Sequence, residues 1–231
     1  MSRYDKAKVK IIKPCERTKK LEEVCRRLWK NNFDDSTEYI SFYFSDRWKE
    51  STTIIYGEES MLHLNPYRMQ LFGSEKTIYY IVGVCTDKAY RHRGYMDALL
   101  RESFRYLYEK DAPFVYLMPA DEKIYLPYDF TNVYTVNSFE IVSRNGERKN
   151  IDNKLLAAGY DKIAQNEIKA AVYAEMSSNE IEVIGYAELS EKQKSEFIIR
   201  SEKIMSEIFD CYVKRDEFYF EQKNREMKAC G

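Results

Sequence analysis

Lys88, Arg91, His92 and Arg93 crowd into six residues, and directly after them Gly94 opens a stretch whose apolar residues Met96, Leu99, Leu100, Phe104 and Leu107 fall on one helical stripe. The basic residues therefore stand where a helix begins. Helix starts carry unpaired N–H groups and a partial positive charge, so each cation there is unfavourable by roughly 0.3–1 kcal/mol. A local rule broken several times in one place marks a site. The chemistry it fits is the binding of a phosphate, held by backbone N–H groups and flanking guanidinium charge.

Two elements must hold that loop. Residues 78–84 form a nearly continuous β-branched and aromatic run, which predicts a central strand covered on both faces. The helix after the loop should end near Lys110, where Asp111 and Pro113 close it. Upstream, residues 8–13 read as a first strand stopped by Pro14. Thr18 caps a helix with Leu21, Val24, Cys25, Leu28 and Trp29 on one face. A shorter aromatic helix is expected over residues 38–48. Residues 52–56 and 61–64 read as a strand pair around Gly57, followed by a loop at Asn65-Pro66-Tyr67, an extension over 68–72 and a turn at Gly73. Downstream, residues 114–118 are another buried strand. Asp121 caps a short helix that carries Tyr125 and ends at Pro127, and residues 133–142 are a last strand before an Asn145-Gly146 turn.

Beyond residue 150 the reading is a helix over 161–175, a strand over 181–184 and a longer helix through Phe197, Ile204, Met205 and Ile208. This loosely echoes the start of the chain, and each copy is followed by a Phe-Tyr-Phe triplet, at Phe42-Tyr43-Phe44 and Phe218-Tyr219-Phe220. The chain therefore divides into a first domain of residues 1–145, a linker of 146–159 and the helix-rich start of a second lobe over 160–231.

Bulk composition narrows the function classes. A net charge of −1 argues against a general nucleic-acid or anionic-membrane binder, so basic character is local. The five cysteines are odd in number, with no CxxC pair, which reads as free thiols in a reducing compartment without a bound metal. The start lacks the apolar core of a signal peptide and no run approaches membrane-spanning length, so a cytoplasmic protein without a membrane partner is expected. The sequence is compatible with a homo-oligomer.

The loop Arg91-His92-Arg93-Gly94-Tyr95-Met96, following Val84-Cys85-Thr86, resembles the coenzyme A signature of the GNAT superfamily of N-acetyltransferases. The family pattern is Gln/Arg-x-x-Gly-x-Gly/Ala; the sequence fits at Arg91 and Gly94 and departs at Met96. More narrowly, the run from Asn65-Pro66-Tyr67 to Ile124-Tyr125-Leu126-Pro127-Tyr128-Asp129-Phe130 is similar to the N-terminal lobe of the enhanced intracellular survival group, whose members carry two such lobes. The resemblance implies an α/β fold of the α+β type: a mixed, mostly antiparallel central sheet flanked by helices, with splayed fourth and fifth strands and, here, a partial second lobe. It implies acetyl-CoA as cosubstrate and a primary amine as acceptor, either an aminoglycoside-like small molecule or a protein lysine. In the group the C-terminal carboxylate of the full chain serves as base, and Gly231 does not match that position.

In that setting pantetheine pairs with the parted strand at Val84, Cys85 and Thr86, and the pyrophosphate sits on the N–H groups around Arg93, Gly94, Tyr95 and Met96, with Arg91 and His92 beside it. Tyr125 matches the family position for the acid that protonates the leaving thiolate. Each residue also has a plainer reading: Tyr125 as a half-buried tyrosine, His92 as exposed scaffolding, His63 as structural, Cys85 as a small buried hydrophobe, Asp35 and Glu38 as surface acids. The competing function is a non-catalytic acyl-CoA-binding or interaction module.

Overall fold

The structure is a computed structural model that describes residues 5–133, 141–142, 148–149 and 186–230. It contains two compact units, one of Met1–Met118 with Gly185–Gly231 and one of Pro119–Ile184. The sequence divides the chain at 146–159, whereas residues 185–231 pack with the first 118.

The first unit is organised by β4 (Ser74–Thr86), the apolar run expected to be central. With β1 (Val9–Ile12), β2 (Thr52–Tyr56) and β3 (Ser60–Leu71) it forms an antiparallel ladder in the order β1-β2-β3-β4, and β5 (Val115–Tyr116) joins β4 in parallel. Thr18 caps α1 (Lys19–Asn32) by accepting from the Leu21 N–H at 3.2 Å, and Ser36 caps α2 (Thr37–Ser45) by accepting from Tyr39 at 3.1 Å. Side chains alternate across the sheet. Ile55, Met61 and Cys85 therefore join Leu28, Trp29, Tyr43 and Phe44 in one cluster with α1 and α2. Ile54 and Leu62 face the other way, where α3 (Tyr95–Tyr108) contributes Leu99 and Leu100, both fully buried. Each such side chain is worth about 1.5–3 kcal/mol of burial, enough to fix which helix covers which face.

One expected loop is a strand. Asn65, Pro66 and Tyr67 continue β3, opposite Tyr80, Tyr79 and Ile78. Pro66 is tolerated because its missing N–H falls in a gap on the other side of β3: pairing with β2 ends at Leu64, and among the described residues the next neighbour on that side begins at Met69. That later neighbour is the short strand Cys211–Val213, which here follows β6 (Ile141–Val142) and β7 (Arg148–Lys149) and is labelled β8. It lies between α4 (Glu191–Ile208) and α5 (Glu217–Cys230), and α5 packs against α2. Both Phe-Tyr-Phe triplets lie on helices, α2 and α5. The helix expected over 161–175, the strand over 181–184 and the Asn145-Gly146 turn lie outside the described residues.

The second unit, taken by itself, carries two successive 3-10 turns, Glu122–Ile124 and Leu126–Tyr128, and the antiparallel β6–β7 pair. Pro127 sits inside the second turn rather than ending a helix, because the first turn of a helix needs no N–H from it. Among the described residues no helix is long and apolar enough to cross a membrane, and none of the His, Cys, Asp and Glu side chains form a group able to hold a metal.

Candidate functional site

Strand β4 is irregular in two places, and they coincide. Met61 lies opposite Cys85 and His63 opposite Val82, so Gly83 and Val84 together face Leu62 alone. This is a β-bulge with its glycine in the left-handed region at φ +65°, and a Cβ there would stand 2.8 Å from the Trp29 ring and 3.1 Å from His63. Only glycine fits without displacing that cluster. In addition, β5 pairs with β4 only at Tyr79 and Tyr80, so among the described residues no strand lies along 81–86 on that side. The strands part beside the bulge. An open strand edge of this kind can pair with an extended ligand.

At the end of the same strand the basic loop is built from local contacts. The Asp87 N–H donates to the Glu59 carbonyl at 2.8 Å, and its carboxylate accepts from the Ala89 N–H at 3.0 Å, starting a 3-10 turn over Lys88–Tyr90. Arg91 donates from Nε to the Thr86 carbonyl at 3.3 Å and from Nη2 to Asn32 Oδ1 at 2.8 Å, tying the loop to β4 and to the last residue of α1. Asn32 is itself held by donating to the Leu28 carbonyl at 2.8 Å. Arg93 donates to the Ala89 carbonyl at 3.3 Å and lies 5.1 Å over the Tyr90 ring. His92 is exposed, in the left-handed region. Gly94 is the N-cap of α3 at φ +81° and offers no side chain to cap it, so the first N–H groups meet no capping group from that position. Tyr95 then stacks on Tyr56 with ring centroids 4.0 Å apart, which anchors the first turn to β2.

The structure thus gathers Val84, Cys85, Thr86, Arg91, His92, Arg93, Gly94, Tyr95 and Met96 into one strand–loop–helix corner. Of these, Cys85 is packed away: Ser60 Oγ donates to its carbonyl at 2.8 Å, and burial pushes its thiol up to about 12. A thiol so hard to ionise is a poor nucleophile. Tyr125 belongs to the second unit, at the junction of the two 3-10 turns, where its N–H donates to the Glu122 carbonyl at 3.0 Å and its half-buried ring stands edge-on to Phe130. Burial raises the pKa of its hydroxyl, which keeps it protonated at neutral pH.

His63 is structural. It is fully buried among Trp29, Tyr43, Phe44 and Trp48, its Nδ1 lies 3.0 Å from Thr53 Oγ1, and burial lowers its pKa to about 3. Asp35 accepts from Trp29 Nε1 at 2.8 Å, and Glu38 lies in the first turn of α2. Sequence reasoning missed Gly83 and Asn32. A lone glycine inside an apolar strand run is the signal that could have found the bulge; Asn32 carries none. It also missed a ring triangle where β4 and β5 part: Tyr80 and Tyr116 are 5.1 Å apart, and Tyr67 lies 6.4 and 6.2 Å from them.

Residues 16–133 match the family model described as the acetyltransferase (GNAT) domain. No curated protein matches the sequence. Among solved structures, a conserved Enterococcus faecalis V583 protein is similar at 18% identity over 52% of this chain, with a TM-score of 0.45; the chain spans only 31% of that protein's length. A Brucella melitensis GNAT family acetyltransferase, solved in complex with acetyl-CoA, is 16% identical over 54% of this chain and 83% of its own, with a TM-score of 0.43. An aminoglycoside acetyltransferase from an uncultured soil metagenomic sample is 17% identical over 58% of this chain and 95% of its own, with a TM-score of 0.39.

Proposed function

The chain belongs to the acetyltransferase (GNAT) family, and from that premise we propose that it moves an acetyl group from acetyl-CoA to a primary amine by direct attack in a ternary complex. The observation that carries this reading is the parting of β5 from β4 beside the Gly83 bulge, with a basic, glycine-capped helix start at the end of the same strand. The residues present suit acetyl-CoA. The open edge at Val84, Cys85 and Thr86 suits an extended amide chain, and the corner from Arg91 to Met96 suits a pyrophosphate. Gly94 admits close backbone approach there, and Arg91, His92 and Arg93 add donors.

Bound there, acetyl-CoA supplies an acyl group activated as a thioester. The chain must do the rest. A lysine-like amine with a pKa near 10.4 is neutral at pH 7 in only roughly one molecule in two thousand, so a base or water relay has to take its proton. A backbone N–H of β4 near Val84 meets the negative charge that develops on the carbonyl oxygen. The raised pKa of Cys85 supports attack without a covalent enzyme intermediate. The finer resemblance, to the enhanced intracellular survival lobe, supports Tyr125 as the acid that protonates the departing thiolate, and aminoglycosides or protein lysines as acceptors.

Acceptor-dependent release of free thiol from acetyl-CoA, measured across a panel of primary amines, tests the reading. Release with at least one amine is expected; acetyl-CoA binding without release from any would leave the non-catalytic binding module. Tyr125→Phe keeps the ring and removes the proton, so kcat should fall by roughly 10²–10⁴-fold with acetyl-CoA affinity and melting temperature little changed. A near-normal kcat would remove Tyr125 from the mechanism.

A further inference from the structure

Arg47 is a buried charge with no direct ion pair among the described residues. The residue is 8% exposed, and its guanidinium lies 4.4 Å over the ring of Tyr67, one corner of the tyrosine triangle where β4 and β5 part. Nη1 donates to Gln222 Oε1 on α5, a neutral amide, while Nη2 is buried with no hydrogen-bond partner among the described residues. Two neighbouring carboxylates are engaged by other cations. Asp46 accepts from Arg225 Nε at 2.6 Å and from Gln222 Nε2 at 3.1 Å, and Glu226 holds Lys223 at 2.8 Å. Burial pulls the Arg47 pKa down, but the facing Tyr67, Glu226, Tyr43 and Glu50 more than offset it, so the group stays cationic.

A buried cation with an idle donor is costly, and such a group in a folded protein calls for an explanation by an absent ligand or ion. The phosphates of coenzyme A are poorly placed to be that ligand. Tyr80, the residue of β4 in the triangle, is six positions from Thr86, a separation of about 20 Å from the basic corner along a strand. On the transferase reading, the acceptor is the ligand left to occupy the triangle's side of the thioester.

We propose that Arg47 is a specificity-determining residue that receives a carboxylate carried by the acceptor, so that the substrate is an amine bearing a carboxylate on a flat, apolar body. The proposal rests on the transferase reading above and names its substrate class. Nη2 donates to a carboxylate oxygen, a charge-assisted bond that gives the nitrogen a direct partner. The rings of Tyr67, Tyr80 and Tyr116 supply faces against which an aromatic or aliphatic body packs. Gln222 on α5 fixes the guanidinium from the far side, which gives the C-terminal helix a part in the choice of acceptor.

The test uses the whole chain and ligands that differ by one group. Calorimetry with 3-phenylpropionate measures carboxylate binding without an amine. Thiol release with phenylalanine and with phenethylamine then measures preference between two amines that differ only by the carboxylate. The proposal predicts that 3-phenylpropionate binds and that kcat/KM favours phenylalanine by roughly tenfold or more. In Arg47→Gln both the binding and the preference should be lost, and Arg47→Lys, which keeps the charge without the planar fork, should restore part of each. If Arg47→Gln does not melt cooperatively, the unmodified chain and Arg47→Lys still decide. No binding of 3-phenylpropionate, a preference for phenethylamine, or a carboxylate preference that survives Arg47→Gln would each overturn the proposal. So would a stronger preference for O-phosphoethanolamine over ethanolamine than for phenylalanine over phenethylamine. Turnover of phenethylamine without 3-phenylpropionate binding would sink this proposal and leave the transferase reading intact. Carboxylate binding without thiol release from any amine would overturn the transferase reading and, with it, the acceptor role given to Arg47.

Discussion

Two arginines flank the parted strand edge, and they are held in opposite ways. Arg91 is exposed, with its donors met by the Thr86 carbonyl and by Asn32. Arg47 is buried, stacked on Tyr67 and bonded to an amide 175 residues away, and one of its nitrogens has no partner among the described residues. The first costs the fold little, because water and local carbonyls satisfy it, and it is replaceable as far as folding is concerned. The second is paid for by the surrounding structure. The difference teaches that the corner proposed for the cofactor is an open, local device, whereas the pocket proposed for the acceptor is assembled from the interior of the fold.

The sharpest way to break that contrast is at Gly83, where the interior meets the open edge. Alanine there would strain a left-handed residue and press a methyl against Trp29 and His63. Gly83→Ala should lose about 2–5 kcal/mol in urea unfolding and weaken acetyl-CoA binding with it. Loss of under about 0.5 kcal/mol, within the range of an ordinary surface change, would mean the bulge is not a constraint.

Acid should strike the interior next. His63 has a pKa of about 3 in the folded chain against 6.5 for the free side chain. Between those values the unfolded chain binds a proton that the folded chain refuses, so stability rises with pH across the window and falls as pH drops through it. The slope from this one group is up to about 1.4 kcal/mol per pH unit. Melting of His63→Gln against the unmodified chain from pH 7 to 4 should show a shallower fall in the mutant. Parallel curves would place the histidine in water.

The smallest effect belongs to the open end. Asn32→Ala removes one hydrogen bond to Arg91 and should weaken acetyl-CoA binding by about two- to fivefold, the worth of a single ordinary hydrogen bond. A hundredfold loss would show that the basic loop is as tightly built as the acceptor end.

The contrast also explains what could be read from the sequence. The cap at Thr18, the helical stripes, the central strand and the basic corner are all local in sequence, and spacing alone exposes them. Asn65-Pro66-Tyr67 reads as a loop because a proline rarely fits a central strand; only the gap between β2 and β8, set by residues 211–213, makes room for it. Arg47 sits after an aromatic helix and looks like any solvated cation until α5 is folded against α2. The bulge was visible only as one glycine in an apolar run, with no sign that Trp29 would stand 2.8 Å from its missing side chain.

The central claim is that acetyl-CoA is held at the corner from Arg91 to Met96. Calorimetric titration of acetyl-CoA into the unmodified chain and into the double variant Arg91→Glu, Arg93→Glu, at low and high salt, tests it most directly. Because both side chains are exposed, the melting temperature should be little changed. The account predicts affinity lower by about tenfold or more in the variant, with a shallower dependence on salt. Equal affinity in the two proteins at both salt concentrations would contradict it.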